Sequence, residues 1–138
     1  MEEERLKKTE TPKTKSPSPA YVTATWLVLI VGVVAYLVGL YNAEMQLNEK
    51  GYYFTLLLFG LFSVVALQKS VRDKMEDIPV TNLFLYISWF GTLASITLLI
   101  IGLFNAELLL SEKGFYGISY MMSVYAAISV QKNIRDSE

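Results

Sequence analysis

The sequence predicts an all-α integral membrane protein, a four-helix bundle built from two tandem transmembrane helical hairpins, and three observations predict it. Hydrophobic residues make up 53% of the 138-residue chain and the mean hydropathy is +0.38, high values for a water-soluble domain. Four uncharged runs approach or exceed the roughly 20 helical residues needed to cross a bilayer core about 30 Å thick. The chain also repeats itself without a gap, so that Gly39 to Tyr53 (GLYNAEMQLNEKGYY) aligns with Gly102 to Tyr116 (GLFNAELLLSEKGFY) at ten of fifteen positions.

Taken in order, residues 1–20 hold three of the four prolines and no aromatic residue, so they are expected to be a disordered tail. The first span is Tyr21 to Tyr41, 21 residues without a charge. Its apolar stretch exceeds that of a signal peptide, and no small-residue cleavage site follows it. The second span has 18 uncharged residues between Lys50 and Lys69, short but adequate if the flanking lysines snorkel. The third lies within the 29 uncharged residues from Ile78 to Ala106, and the fourth has 18 between Lys113 and Lys132. The expected units are therefore residues 21–75 and 76–138, each a two-helix repeat. Because two spans separate equivalent points, the repeats enter the membrane from the same side and are parallel, with a pseudo-two-fold axis along the membrane normal.

Basic residues set the expected orientation, since acidic ones contribute little to insertion bias. Five lie in the tail, three in the central loop (Lys69, Arg72, Lys74) and two at the C-terminus (Lys132, Arg135), against only Lys50 and Lys113 in the other two loops. Both termini and the central loop are thus expected in the cytoplasm. Trp26 and Trp89 then fall near the inner interface, and Tyr52, Tyr53, Phe115 and Tyr116 at the outer one.

Composition also excludes. The chain has no cysteine and no histidine, which removes disulfides, Cys/His zinc sites, thiol nucleophiles and imidazole acid–base chemistry. A net charge of −1 leaves no basic field for nucleic acid. No Asp, Glu, Lys or Arg lies inside the four runs, and intramembrane ionisable groups are the usual mark of coupled transport. No cofactor or metal is expected.

What the repeat preserved locates the candidate residues. Within the spans little but hydrophobicity survives: Tyr21 to Val38 against Phe84 to Ile101 shares one residue in eighteen. The shared residues are Asn42, Glu44, Glu49 and Lys50 in the first outer loop and Asn105, Glu107, Glu112 and Lys113 in the second. Asn48 and Ser111 have the chemistry of helix N-caps, with Glu49 and Glu112 beside the positive helix ends and Leu47 and Leu110 packing back on the new helices. A capped, salt-bridged hairpin accounts for all of these residues. The same four carboxylates, two amides and two lysines, gathered around the pseudo-two-fold, could instead bind a cation or polar solute at an outer vestibule, or dock a partner.

The second preserved segment, QKSVRD (Gln68 to Asp73) against QKNIRD (Gln131 to Asp136), shares four of six residues. Lys69, Arg72, Lys132 and Arg135 read as a cytoplasmic basic flank that complements the negative helix ends and anionic lipid. Small residues at four-residue spacing, Ala35, Gly39 and Ala43 on the first helix and Ser119, Ser123 and Ala127 on the fourth, predict close helix contact in the bundle interior or between subunits.

The duplicated GL(Y/F)NAE, L(N/S)EKG(Y/F)Y and QK(S/N)(V/I)RD segments closely resemble the YiaA/YiaB family of bacterial inner-membrane proteins, over about Pro19 to Asp136. The resemblance implies a four-span protein of the cytoplasmic membrane and implies no activity. The expected role is that of a non-enzymatic structural or interaction component embedded in lipid, with a second copy or another membrane protein as partner. The alternative is a component of a small-solute or ion transporter or channel.

Overall fold

The computed structural model describes residues 16–137, which form four α-helices and no strand: α1 (Pro19–Asn42), α2 (Leu47–Met75), α3 (Asn82–Asn105) and α4 (Leu110–Ser137). The expected tail lies mostly outside the described residues, but its last part is corrected. Pro19 and Ala20 are helical, because Ser18 is an N-cap whose Oγ accepts from the Tyr21 N–H at 3.2 Å, and proline suits the first helical turn. At the equivalent point of the second repeat Thr81 caps α3, accepting from the Phe84 N–H at 3.1 Å.

The N-caps expected at Asn48 and Ser111 are also corrected. The extended residue before α2 is Gln46, whose side chain makes no capping bond, and the helical ladder starts with Lys50 N–H to the Gln46 carbonyl and Lys113 N–H to the Leu109 carbonyl, both at 3.0 Å. Asn48 and Ser111 therefore sit inside the first turns of α2 and α4. Leu47 and Leu110, expected to pack back, are each 85% exposed.

The two helices of one repeat scarcely touch. α1 packs along α4 and α3 along α2, while α2 and α4 meet at the centre and α1 and α3 do not meet at all. Each first helix thus lies on the second helix of the other repeat, and the pseudo-two-fold exchanges the α1–α4 and α3–α2 contacts. Small residues permit this. A Cβ on Gly32 of α1 would come within 2.8 Å of Ser123 Oγ on α4, and one on Gly60 of α2 within 2.8 Å of Ser95 Oγ on α3. Sequence positions 32 and 95 are equivalent, as are 60 and 123, so each crossing pairs one glycine with one serine in opposite assignment. Such contact between backbones draws helices together in lipid, where no hydrophobic drive operates between them. The small stripes expected on α1 and α4 lie along this interface: Ser119, Ser123 and Ala127 are buried, and Gly39 faces the Phe115 ring.

The outward faces are apolar. Leu27, Ile30, Val31, Val34 and Val38 on α1, with Phe90, Leu93 and Ile100 on α3, are each more than half exposed. A surface of this kind calls for lipid or another apolar partner against it. α1, α2 and α3 are long and apolar enough to cross a membrane. α4 has the length, at 28 residues, but carries Ser119, Ser123, Ser129 and Asn133 on its buried side. Held between α1 and α2, it turns this polarity toward its neighbours in the bundle.

Candidate functional site

At the outer end each hairpin turns in the same way. α1 stops at Asn42 and α3 at Asn105, and the next residues, Ala43 and Ala106, are extended at nearly identical angles, φ −71° and ψ 143° against φ −74° and ψ 145°. The last turn of a helix leaves carbonyls without partners. Asn42 Nδ2 donates to the Val38 carbonyl and Asn105 Nδ2 to the Ile101 carbonyl, both at 2.8 Å. Lys50 Nζ then reaches back from α2 to the Tyr41 carbonyl at 3.0 Å, and Lys113 Nζ from α4 to the Phe104 carbonyl at 3.4 Å. The shared asparagines and lysines therefore close the negative helix ends of their own repeats. None of these lysines makes a salt bridge among the described residues.

The carboxylates distribute differently. A cavity of about 1060 Å³ opens between the two outer loops, lined among others by Glu44, Glu49, Asn105, Glu107, Tyr52 and Tyr53. Asn42 and Glu112 lie instead in a recess of about 310 Å³ with Ser111, Phe115 and Tyr116. Its residues match a subset of the larger cavity's lining position by position, so these are two copies of one inter-repeat notch, one of them enlarged by Glu44, Met45, Gln46, Glu107 and Leu108. The eight outer residues consequently do not converge on one point. Among the described residues no group of three acidic side chains is arranged to hold a metal ion.

Tyrosines floor this end. Tyr53 and Tyr116, expected at the lipid interface, are buried and stack across the pseudo-axis with centroids 6.1 Å apart and planes at 15°. Their burial follows from the α2–α4 contact, which no hydropathy pattern reveals. Tyr116 donates its hydroxyl to the Gly39 carbonyl at 2.8 Å and Tyr36 to the Tyr53 carbonyl at 2.7 Å. Deeper in, Tyr120 Oη and Ser95 Oγ are hydrogen-bonded, both residues fully buried.

The opposite end of the bundle, where α2 and α4 finish, is built reciprocally. Lys69 pairs with Asp73 at 2.7 Å and Lys132 with Asp136 at 2.8 Å, each within one helix. The arginines cross over: Arg72 of α2 pairs with Asp136 of α4, and Arg135 of α4 with Asp73 of α2 at 2.5 Å. Glu76 accepts from both arginines, at 2.8 Å each. The Asp73 and Asp136 side chains are only 4% and 3% exposed. Hydrogen bonds from Lys69 and then Arg135 hold the Asp73 carboxyl below its ordinary value, those from Lys132 and then Arg72 do the same for Asp136, and those from Arg135 and Arg72 for Glu76. The residues expected to form a basic flank form an ion cluster that ties the two repeats together. Sequence reading placed all four cations but missed the aspartates as their partners.

Comparison with known proteins places the chain. The model of the yiaA/B two helix domain matches twice, at residues 21–73 and 84–136. The chain is similar to inner membrane protein YiaA of Escherichia coli (strain K12), 53% identical over 125 residues that cover 91% of this chain and 86% of that protein. It is similar to inner membrane protein YiaB of the same organism, 29% identical over 75% of this chain and 88% of that protein. It also matches the uncharacterized membrane protein YubF of Bacillus subtilis (strain 168), 36% identical over 59 residues, which are 42% of this chain and 68% of that protein. No solved structure matches the chain.

Proposed function

The chain is a membrane protein that belongs to the yiaA/B two-helix domain family, and from that premise we propose a non-enzymatic structural or interaction role in the bacterial cytoplasmic membrane. In this reading all four helices cross the bilayer, and both termini face the cytoplasm. The observation that carries the role is the use to which the repeated polar residues are put. Asn42, Lys50, Asn105 and Lys113 close helix ends, while Lys69, Arg72, Lys132 and Arg135 are all engaged with carboxylates. A protein whose shared asparagines, lysines and arginines hold its own scaffold, with no Asp, Glu, Lys or Arg in the four uncharged runs, has little left for turnover.

The outer cavity favours a second reading, a component of a solute or ion pathway with Glu44, Glu49, Asn105 and Glu107 at its mouth. Paired substitution separates the two. Under the structural role Glu44→Gln with Glu107→Gln leaves flux in proteoliposomes at background, as in the wild type. Under the transport role wild-type flux is measurable and the double variant abolishes it while the bundle stays assembled. Topology is tested by labelling, since the chain has no native thiol. Asn48→Cys and Ser111→Cys are expected to label from outside intact cells and Lys74→Cys only after permeabilisation.

A further inference from the structure

Glycine inside a helix is destabilising unless something needs the room, because it exposes backbone and loses the most conformational freedom. Gly32, Gly39, Gly60, Gly91 and Gly102 all have a close neighbour within the bundle. Gly117 does not, and neither does the repeated pair Gly51 and Gly114: a Cβ at any of the three would meet nothing within 4 Å. Gly51 and Gly114 are each the fifth residue of their helix, and the repeat kept both in the same EKG segment while changing nearly every residue inside the spans.

Gly51 lies in an apolar groove of about 390 Å³ between the end of α1 and the start of α2, together with Leu37, Leu40, Leu47 and Phe54. The groove exists because the two helices of a repeat pack on other partners and leave a wedge between them. Lys50 stands on the same lining, 6.0 Å from the Tyr41 ring centroid, with one of its N–H groups on the Tyr41 carbonyl. Its neighbour Glu49 lines the inter-repeat cavity instead, and no carboxylate pairs with Lys50 among the described residues. An uncompensated ammonium at the mouth of an apolar wedge, beside an open glycine, matches a molecule with an anionic head and a hydrocarbon tail.

We propose that this groove is a phospholipid site, an acyl chain lying along Leu40, Gly51 and Phe54 with the lipid phosphate on the Lys50 ammonium. The proposal rests on the reading that this end of the bundle meets a bilayer surface. Gly51 lets the chain lie against the α2 backbone, and the spare N–H groups of Lys50 supply the contacts to phosphate. The second repeat repeats the lysine and the open glycine but has Gly117 where the first has Phe54, so its wedge lacks one wall.

The test is phosphatidylglycerol retention by the full chain in mild detergent, followed by native mass spectrometry alongside thermal unfolding. Wild-type protein is expected to hold the lipid against excess inorganic phosphate and to bind diacylglycerol more weakly. Lys50→Gln should weaken retention about fivefold, the worth of one basic residue at a lipid surface. Gly51→Leu should abolish retention at this site without lowering the melting temperature, and Gly51→Ala should keep the fold and weaken retention. Equal retention by Lys50→Gln and Gly51→Leu would overturn the proposal. So would displacement by inorganic phosphate alone, or loss of a second copy of the chain instead of lipid on Gly51→Leu. Failure of the bilayer-crossing reading would show separately, as an altered cysteine-labelling pattern.

Discussion

The two ends of the bundle keep equally well-preserved segments and use them in opposite ways. At the outer end every bond made by a shared asparagine or lysine stays within its own repeat: Asn42 to Val38, Lys50 to Tyr41, and their counterparts Asn105 to Ile101 and Lys113 to Phe104. At the opposite end both arginines leave their repeat, Arg72 for Asp136 and Arg135 for Asp73. A duplicated motif can therefore serve as two independent copies of one device or as two halves of a single one. Damage to an asparagine or lysine of the first motif should stay local, whereas damage to its tyrosines, which stack across the pseudo-axis, or to the arginines at the other end should be felt by both repeats.

The sharpest perturbation lies between the ends, where the repeats interlock. Gly60→Leu would drive a side chain into Ser95 and Tyr120 and is expected to destabilise by about 3 kcal/mol or more, the upper range for overpacking. Loss of the folded species in detergent reads this, whereas a variant as stable as wild type would show that α2 and α3 do not meet there.

Next in size is the ion cluster. Arg72→Ala removes one of the two cationic partners of a nearly buried Asp136 and is expected to cost about 2 kcal/mol in equilibrium unfolding. Combined with Asp136→Asn, the loss should be well below the sum of the two single effects, as coupled groups require. Strict additivity would dissolve the contrast between the two ends. The same cluster sets a pH dependence. The carboxyls of Asp73, Glu76 and Asp136 are held below their ordinary values in the folded protein, so their contribution is fully present above the ordinary carboxylate range. It is lost as pH falls through the depressed folded values. The unfolding midpoint should be level from neutral pH down to about pH 5, the upper edge of the carboxylate range, and drop below it. The drop should be smaller in Arg72→Ala with Arg135→Ala.

The outer locks come below this. Asn42→Ala and Asn105→Ala are each expected to cost about 1 kcal/mol, the net worth of one hydrogen bond, and to add when combined, because no bond joins them. Non-additivity in a double-variant cycle would show the two turns to be coupled.

The smallest effect has the opposite sign. Asp77 follows α2 with φ 57°, in a turn closed by Ile78 N–H to the Asp73 carbonyl at 2.8 Å. Glycine is favoured in such a left-handed helix end. Asp77→Gly should stabilise by about 0.5 kcal/mol, read as a small rise in melting temperature.

Much of this was legible in the residues. Uncharged runs gave the helices because a bilayer demands length, and the 63-residue offset paired Gly39 with Gly102 and Asp73 with Asp136 without ambiguity. The Lys69–Asp73 and Lys132–Asp136 pairs follow from helical spacing alone. The arginine pairs do not, since they depend on which helices are neighbours. That choice is encoded in Gly32 with Ser123 and Gly60 with Ser95, residues about 90 and 35 positions apart whose complementarity shows only once the backbones are in contact. Helix starts were misplaced for a different reason. Asn48 and Ser111 have the chemistry of caps, but the extended Ala43 and Ala106 carry the chain across so tightly that α2 and α4 begin two residues earlier. Within the candidate site, residue types located the outer carboxylates, but only the inter-repeat packing separates Glu112 from Glu44, Glu49 and Glu107.

Interlocking of the two repeats is tested most directly by disulfide trapping in a chain that has no cysteine of its own. Gly32→Cys with Ser123→Cys joins α1 to the second helix of the other repeat, where the atoms already lie within bonding reach. Gly32→Cys with Ser63→Cys asks instead for contact between α1 and α2 of one repeat. Rapid intramolecular crosslinking of the first pair, with none of the second, is the predicted result; crosslinking of the second pair in preference to the first would contradict it.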